Sequence, residues 1–128
     1  MYSRLLQPPG RSFFLFGPRG TGKTAWLRSQ LTDALVFDFL QSGTYQRLSA
    51  APDRLAEMIP EDHAGWVVLD EIQRVPELLN EVHRLIESRG LRFAMTGSSA
   101  RKLRRGGANL LAGRARTLNA IFGDPARA

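Results

Sequence analysis

Ser12-Phe13-Phe14-Leu15-Phe16-Gly17-Pro18-Arg19-Gly20-Thr21-Gly22-Lys23-Thr24 is the stretch on which the fold turns. Ser12 to Phe16 is a short apolar run without polar alternation, halted by Gly17-Pro18. Such a run fits a strand covered on both faces, as in a parallel sheet. From Gly17 to Thr24 the chain satisfies G-x-x-x-x-G-K-[ST] at every fixed position. Glycines let the backbone curl so that successive N–H groups point inward at phosphate oxygens. The helix expected over Lys23 to Leu31 turns its positive N-terminal end to the same anion. Lys23 supplies a mobile point charge for the outer phosphates, and Thr24 offers a hydroxyl to Mg²⁺. Chance would produce the four fixed positions in about four chains per thousand of this length. The residues Gly17, Pro18, Arg19, Gly20, Thr21, Gly22, Lys23 and Thr24 are therefore read as a phosphate-binding loop.

Downstream, Ala34 to Phe39 and Trp66 to Leu69 read as two more buried strands, with two short helices between Gln41 and Ile59, broken near Pro52. In the helix expected over Glu77 to Glu87, Leu78, Leu79, Val82, Leu85 and Ile86 fall on one stripe of a 3.6-residue period. Gly90 stops it. Arg92 to Thr96 is a fourth strand, closed by Gly97-Ser98-Ser99, and Thr117 to Phe122 a short fifth. A helical turn is expected at Asn109 to Leu111. Strands that alternate with helices need crossovers, hence an α/β fold with a mostly parallel sheet of four to five strands.

The segment Trp66-Val67-Val68-Leu69-Asp70-Glu71 narrows the chemistry. A buried strand ending in an acid carries a carboxylate to the carboxyl edge of the sheet, beside the phosphate loop. Asp70 is there the candidate Mg²⁺ ligand, and Glu71 the candidate base for an attacking water. An isolated Asp-Glu is more often a solvated turn; the upstream loop reverses that reading. No Asn-Lys-x-Asp selects guanine and no lid marks a small-molecule kinase, so hydrolytic ATP chemistry leads. Ser98, in preference to Thr96, is the hydroxyl expected to sense the γ-phosphate or the water. A Gly-Ser turn without function fits the same spacing nearly as well. Trp26 is read as packing rather than adenine stacking, and His63 and His83 as surface residues.

Composition agrees with one globular domain: 128 residues, 43% hydrophobic and 23% charged. The absence of cysteine excludes a disulfide scaffold, a zinc ribbon and a thiol nucleophile. No apolar run approaches the ~18 residues of a membrane span, and the start lacks a secretory signal, so a cytoplasmic protein without membrane contact is expected. The net charge of +6 is uneven, because the segment from Arg89 onward holds nine Arg or Lys against one acid, Asp124. Its basic region Arg101-Lys102-Leu103-Arg104-Arg105 allows nucleic acid as a partner, although a solvated surface is the commoner explanation of such a charge run.

FFLFGPRGTGKTAWLR, WVVLDEIQRVPELLNEVHRLIE and RFAMTGSSARKLRRGGANLLAGRA together resemble the ATPase domain of a prokaryotic AAA-type family. The resemblance covers roughly residues 4–115. Members join this domain to a C-terminal domain of unknown function that resembles restriction-type nucleases. The resemblance implies a three-layer P-loop NTPase fold with the phosphate-loop strand central, ATP and Mg²⁺ as ligands, and Arg114 placed to meet a γ-phosphate. Family chains continue into the second domain, whereas this sequence stops at Ala128 and its last twelve residues match poorly. The expectation is one ATPase domain over 1–128, with the C-terminal domain absent. Lys23, Glu71, Ser98 and Arg114 are then the catalytic candidates. ATP is the expected partner, with self-association and nucleic acid as open ones. The rival reading is a hydrolysis-deficient fragment that keeps the nucleotide pocket and binds nucleic acid or another partner.

Overall fold

The computed structural model describes residues 10–18, 22–31, 33–98 and 116–119, the last four by backbone alone. The elements are β1 (Phe13–Phe16), α1 (Lys23–Gln30), β2 (Leu35–Asp38), α2 (Ser42–Ala50), α3 (Leu55–Met58), β3 (Trp66–Asp70), α4 (Leu78–Arg89), β4 (Arg92–Gly97) and β5 (Arg116–Asn119). Single 3-10 turns at Pro52–Arg54 and Ile72–Arg74 precede α3 and follow β3. The five strands form one sheet in the order β2-β3-β4-β1-β5, parallel at every pairing.

Both faces of this sheet are covered, which is why its strands read as unbroken apolar runs. Phe14 and Phe16 stack with ring centroids 5.5 Å apart. They join Val67, Leu69, Phe93 and Met95 in a core closed by Leu48 of α2, Leu55 of α3, and Leu78, Leu79, Val82 and Leu85 of α4. Phe13, Leu15, Val68 and Ala94 point the other way, onto Leu27 of α1 and Leu31. The result is three layers. Burial of each such large side chain contributes about 1.5–3 kcal/mol. The apolar stripe of α4 faces the larger core as its period requires, and Ile86 packs at the margin. Gly90, at φ 65°, ends α4 in the left-handed conformation, its N–H donating to Ile86 O at 3.1 Å. Arg89 then ties the end of α4 to α3 by donating to the carbonyl oxygens of Ala56, Ile59 and Pro60.

Two expectations change. The phosphate-loop strand β1 is interior, flanked by β4 and β5, but the middle position belongs to β4. The histidines are half-buried rather than surface residues: the His63 ring lies 3.0 Å from Trp66 O. Trp26 packs partly buried against the smaller cluster, consistent with a packing role. The expected turn at 109–111, and 120–122 of the expected fifth strand, lie outside the described residues. Among the described residues no helix is long and apolar enough to cross a membrane.

Candidate functional site

In a parallel sheet all strands end at the same edge, and the register decides which of their last residues meet. Phe16 pairs with Gly97, Leu69 with Met95, and Asp38 with Asp70. The Gly17 N–H continues the ladder, donating to Gly97 O at 3.1 Å. The start of the phosphate loop, the acidic pair and the Gly97-Ser98 strand end therefore share one edge.

The chain is again at this edge where α1 begins. Gly22, with φ 88°, holds the left-handed conformation directly before the helix, and its carbonyl accepts the Trp26 N–H at 2.9 Å. Glycine adopts that conformation at little steric cost. The first turn of α1 contains no acidic residue, and its N-cap, Gly22, has no side chain to occupy the N-terminal amides. Its N-terminal amides are thus arranged as an anion site requires. The Lys23 ammonium is buried and donates to the carbonyl oxygens of Gly17 and Pro18, the latter at 3.2 Å. The mobile charge expected of Lys23 is thus gathered into the loop. Arg19, Gly20 and Thr21 lie outside the described residues.

Asp70 is the junction of the site. Its Oδ2 accepts the Thr24 hydroxyl at 3.0 Å, across 46 positions of sequence. Its Oδ1 accepts the Thr96 hydroxyl at 2.5 Å. Thr96, fully buried, spends its one proton on Asp70 and uses a lone pair to accept the Glu71 N–H at 2.9 Å. Glu71 makes this possible by turning left-handed straight after the strand, at φ 65°. That conformation costs a side-chain-bearing residue about 1–2 kcal/mol. It is the one positive-φ residue other than glycine among the described residues, and it stands at the base candidate. The Glu71 carboxylate is buried too, with Oε1 accepting Gln73 Nε2 at 2.6 Å.

The structure brings Lys23, Thr24, Asp70 and Glu71 to one edge, with Ser98 directly beyond β4 at the same edge. The sequence ranks Thr96 below Ser98 and gives no sign of Gln73. Thr96 was passed over for Ser98 because the register that sets it level with Asp70 is invisible in one strand. Gln73, two residues after Glu71, carries no local signal of its contact. Asp38 was also unremarked; its Oδ1 accepts the Leu40 N–H at 2.9 Å, closing the turn after β2. Arg114 and the basic region Arg101–Arg105 lie outside the described residues.

Residues 10–121 match the family model described as an AAA domain. No curated protein matches the chain.

Proposed function

The chain belongs to the AAA domain family, and from that premise we propose that it binds ATP with Mg²⁺ at this sheet edge and hydrolyses it slowly. The observation that carries the proposal is the 3.0 Å hydrogen bond between Thr24 and Asp70. It joins the end of the phosphate loop to the end of the acidic strand, the two places from which a nucleotide-bound cation is held.

The oxygen donors fit the group. A hydroxyl and a carboxylate are hard ligands suited to Mg²⁺, which keeps several waters and takes its remaining oxygens from phosphate. Thr24 and Asp70 would hold the ion, which when bound neutralises charge on the phosphate oxygens.

Lys23 and the backbone amides of the loop would bind the phosphates. Glu71 would accept a proton from water as the water oxygen bonds to the γ-phosphorus. The bond from that phosphorus to the bridging oxygen breaks, and ADP and inorganic phosphate leave. Ser98 would orient the water or the γ-phosphate. Arg114 would meet the developing charge, a role that can be worth 10³–10⁵ in rate.

Thermal unfolding tests the binding site. Mg·ATP at a hundredfold excess over Kd stabilises a folded domain by about 2.7 kcal/mol, several degrees in Tm, and Lys23→Ala should remove most of that shift. A wild-type melting curve unchanged by millimolar Mg·ATP would sink the nucleotide site.

A further inference from the structure

Gln73 is used by none of these roles, yet its side chain is the closest partner of the Glu71 carboxylate. It lies in the 3-10 turn Ile72–Arg74. That turn is pinned by the fully buried Ile72 and by backbone bonds from Arg74 N to Glu71 O (3.1 Å) and Val75 N to Ile72 O (2.9 Å). From this platform Nε2 donates to Glu71 Oε1 at 2.6 Å. The other end of the amide is the informative one. Gln73 Oε1 is buried and has no hydrogen-bond partner among the described residues. It lies so close to Gly97 that a Cβ there would sit 2.9 Å from it.

An amide oxygen stripped of water without a partner carries a desolvation penalty that nothing repays. Turning the amide over would not relieve this, because it would set oxygen against the Glu71 carboxylate. The orientation is therefore dictated by Glu71, and the bare oxygen is its consequence. Gly97, lacking a Cβ, leaves room for it. Glu71 needs such an anchor: its side chain has several rotatable bonds, and no hydrogen bond to its second oxygen, Oε2, is present among the described residues.

We propose that Gln73 is a positioning residue for the general base: by holding Oε1 of Glu71 it fixes the carboxylate so that Oε2 faces the attacking water. This rests on the reading of Glu71 as the base. Gln73 touches neither nucleotide nor water; it acts through Glu71 and governs the chemical step rather than binding.

Single-turnover hydrolysis of radiolabelled ATP, with protein in excess, tests this in wild type, Gln73→Leu, Gln73→Glu, Glu71→Gln and the double variant Glu71→Gln/Gln73→Leu. Leucine keeps most of the bulk without the amide; glutamate keeps the reach and opposes the carboxylate. Both single changes at Gln73 should slow turnover about 10- to 100-fold, the scale of a misplaced reacting group, and leave Mg·ATP affinity unchanged. In the Glu71→Gln background Gln73→Leu should cost nothing further, since residues acting as a unit are not additive. Wild-type turnover in Gln73→Leu, or an equal loss in both backgrounds, overturns the positioning role and leaves Glu71 as base. Weakened ATP binding, or failure of both variants to fold, assigns Gln73 to the pocket or the fold and also overturns it. A wild type no faster than Glu71→Gln removes the base itself, and the positioning role with it.

Discussion

Thr96→Val replaces a hydroxyl by a methyl of nearly the same size at the fully buried position between the two acids. Three groups are affected. The Asp70 carboxylate loses a 2.5 Å hydrogen bond at Oδ1, and a bond to a charged group is worth about 1.5–3 kcal/mol. The Glu71 N–H loses its 2.9 Å acceptor, leaving a buried donor bare at a further ~1–3 kcal/mol. Thr96 gains a methyl where space was matched to oxygen. Allowing for partial relaxation, the total is about 3–5 kcal/mol, a large share of the 5–15 kcal/mol typical of a domain. Urea denaturation should therefore show a lowered midpoint with an unchanged slope. Thr96→Ser, which keeps the hydroxyl and drops only the methyl, should lose about 1 kcal/mol. The penalty should also be coupled to Asp70: in an Asp70→Asn background Thr96→Val should cost visibly less, because the charged acceptor is already gone. A Thr96→Val protein as stable as wild type, or one matched by Thr96→Ser, would refute the view that this hydroxyl locks the acidic pair.

Asp70→Asn should weaken Mg²⁺-dependent ATP binding, read as a smaller Mg·ATP shift in melting temperature, because the amide lacks the charge that faces the cation. Glu71→Gln should keep that shift and lower turnover by roughly 10²-fold or more; hydrolysis at the wild-type rate would move the base elsewhere. Gly97→Ala puts a Cβ 2.9 Å from Gln73 Oε1 and 3.2 Å from the Phe16 ring, so chemical denaturation should show a loss of about 1–3 kcal/mol. Phe93→Ala empties a fully buried position in the larger core and should cost about 3–5 kcal/mol; a loss under 1 kcal/mol would mean that the core closes over the gap.

The parts of the site legible in the sequence are those carried by contiguous residues. The phosphate loop is one uninterrupted motif, and the Gly17, Gly22, Lys23 and Thr24 positions follow from it. Asp70 and Glu71 were legible because an apolar run ending in acids can only deliver them to a strand end. Helix α4 was legible from its stripe, whereas β2 was read one residue too long at each end, since Ala34 and Phe39 are apolar but lie outside the strand. Trp26 read correctly as packing because an aromatic among apolar helix positions has a default use.

What the chain dictated without any partner strand is the alternation of buried strands and helices, the glycine that precedes α1, and the chemistry its residues can support. Each of these depends on neighbours a few positions apart. The strand order, with β4 rather than β1 in the middle, depends on which crossovers pass over which strands, and no local pattern records that. The same holds for Thr96. It became the lock of the acidic pair because the pairing of Leu69 with Met95 sets Asp70 level with it, 26 residues away. Gln73 is near Glu71 in sequence, yet its contact exists only because Glu71 turns left-handed. The turn is held by the bond to Thr96, a strand away. Local chemistry thus names the candidates, and the register between strands selects which of them touch, because hydrogen bonds act over about 3 Å while their partners are set by the whole sheet.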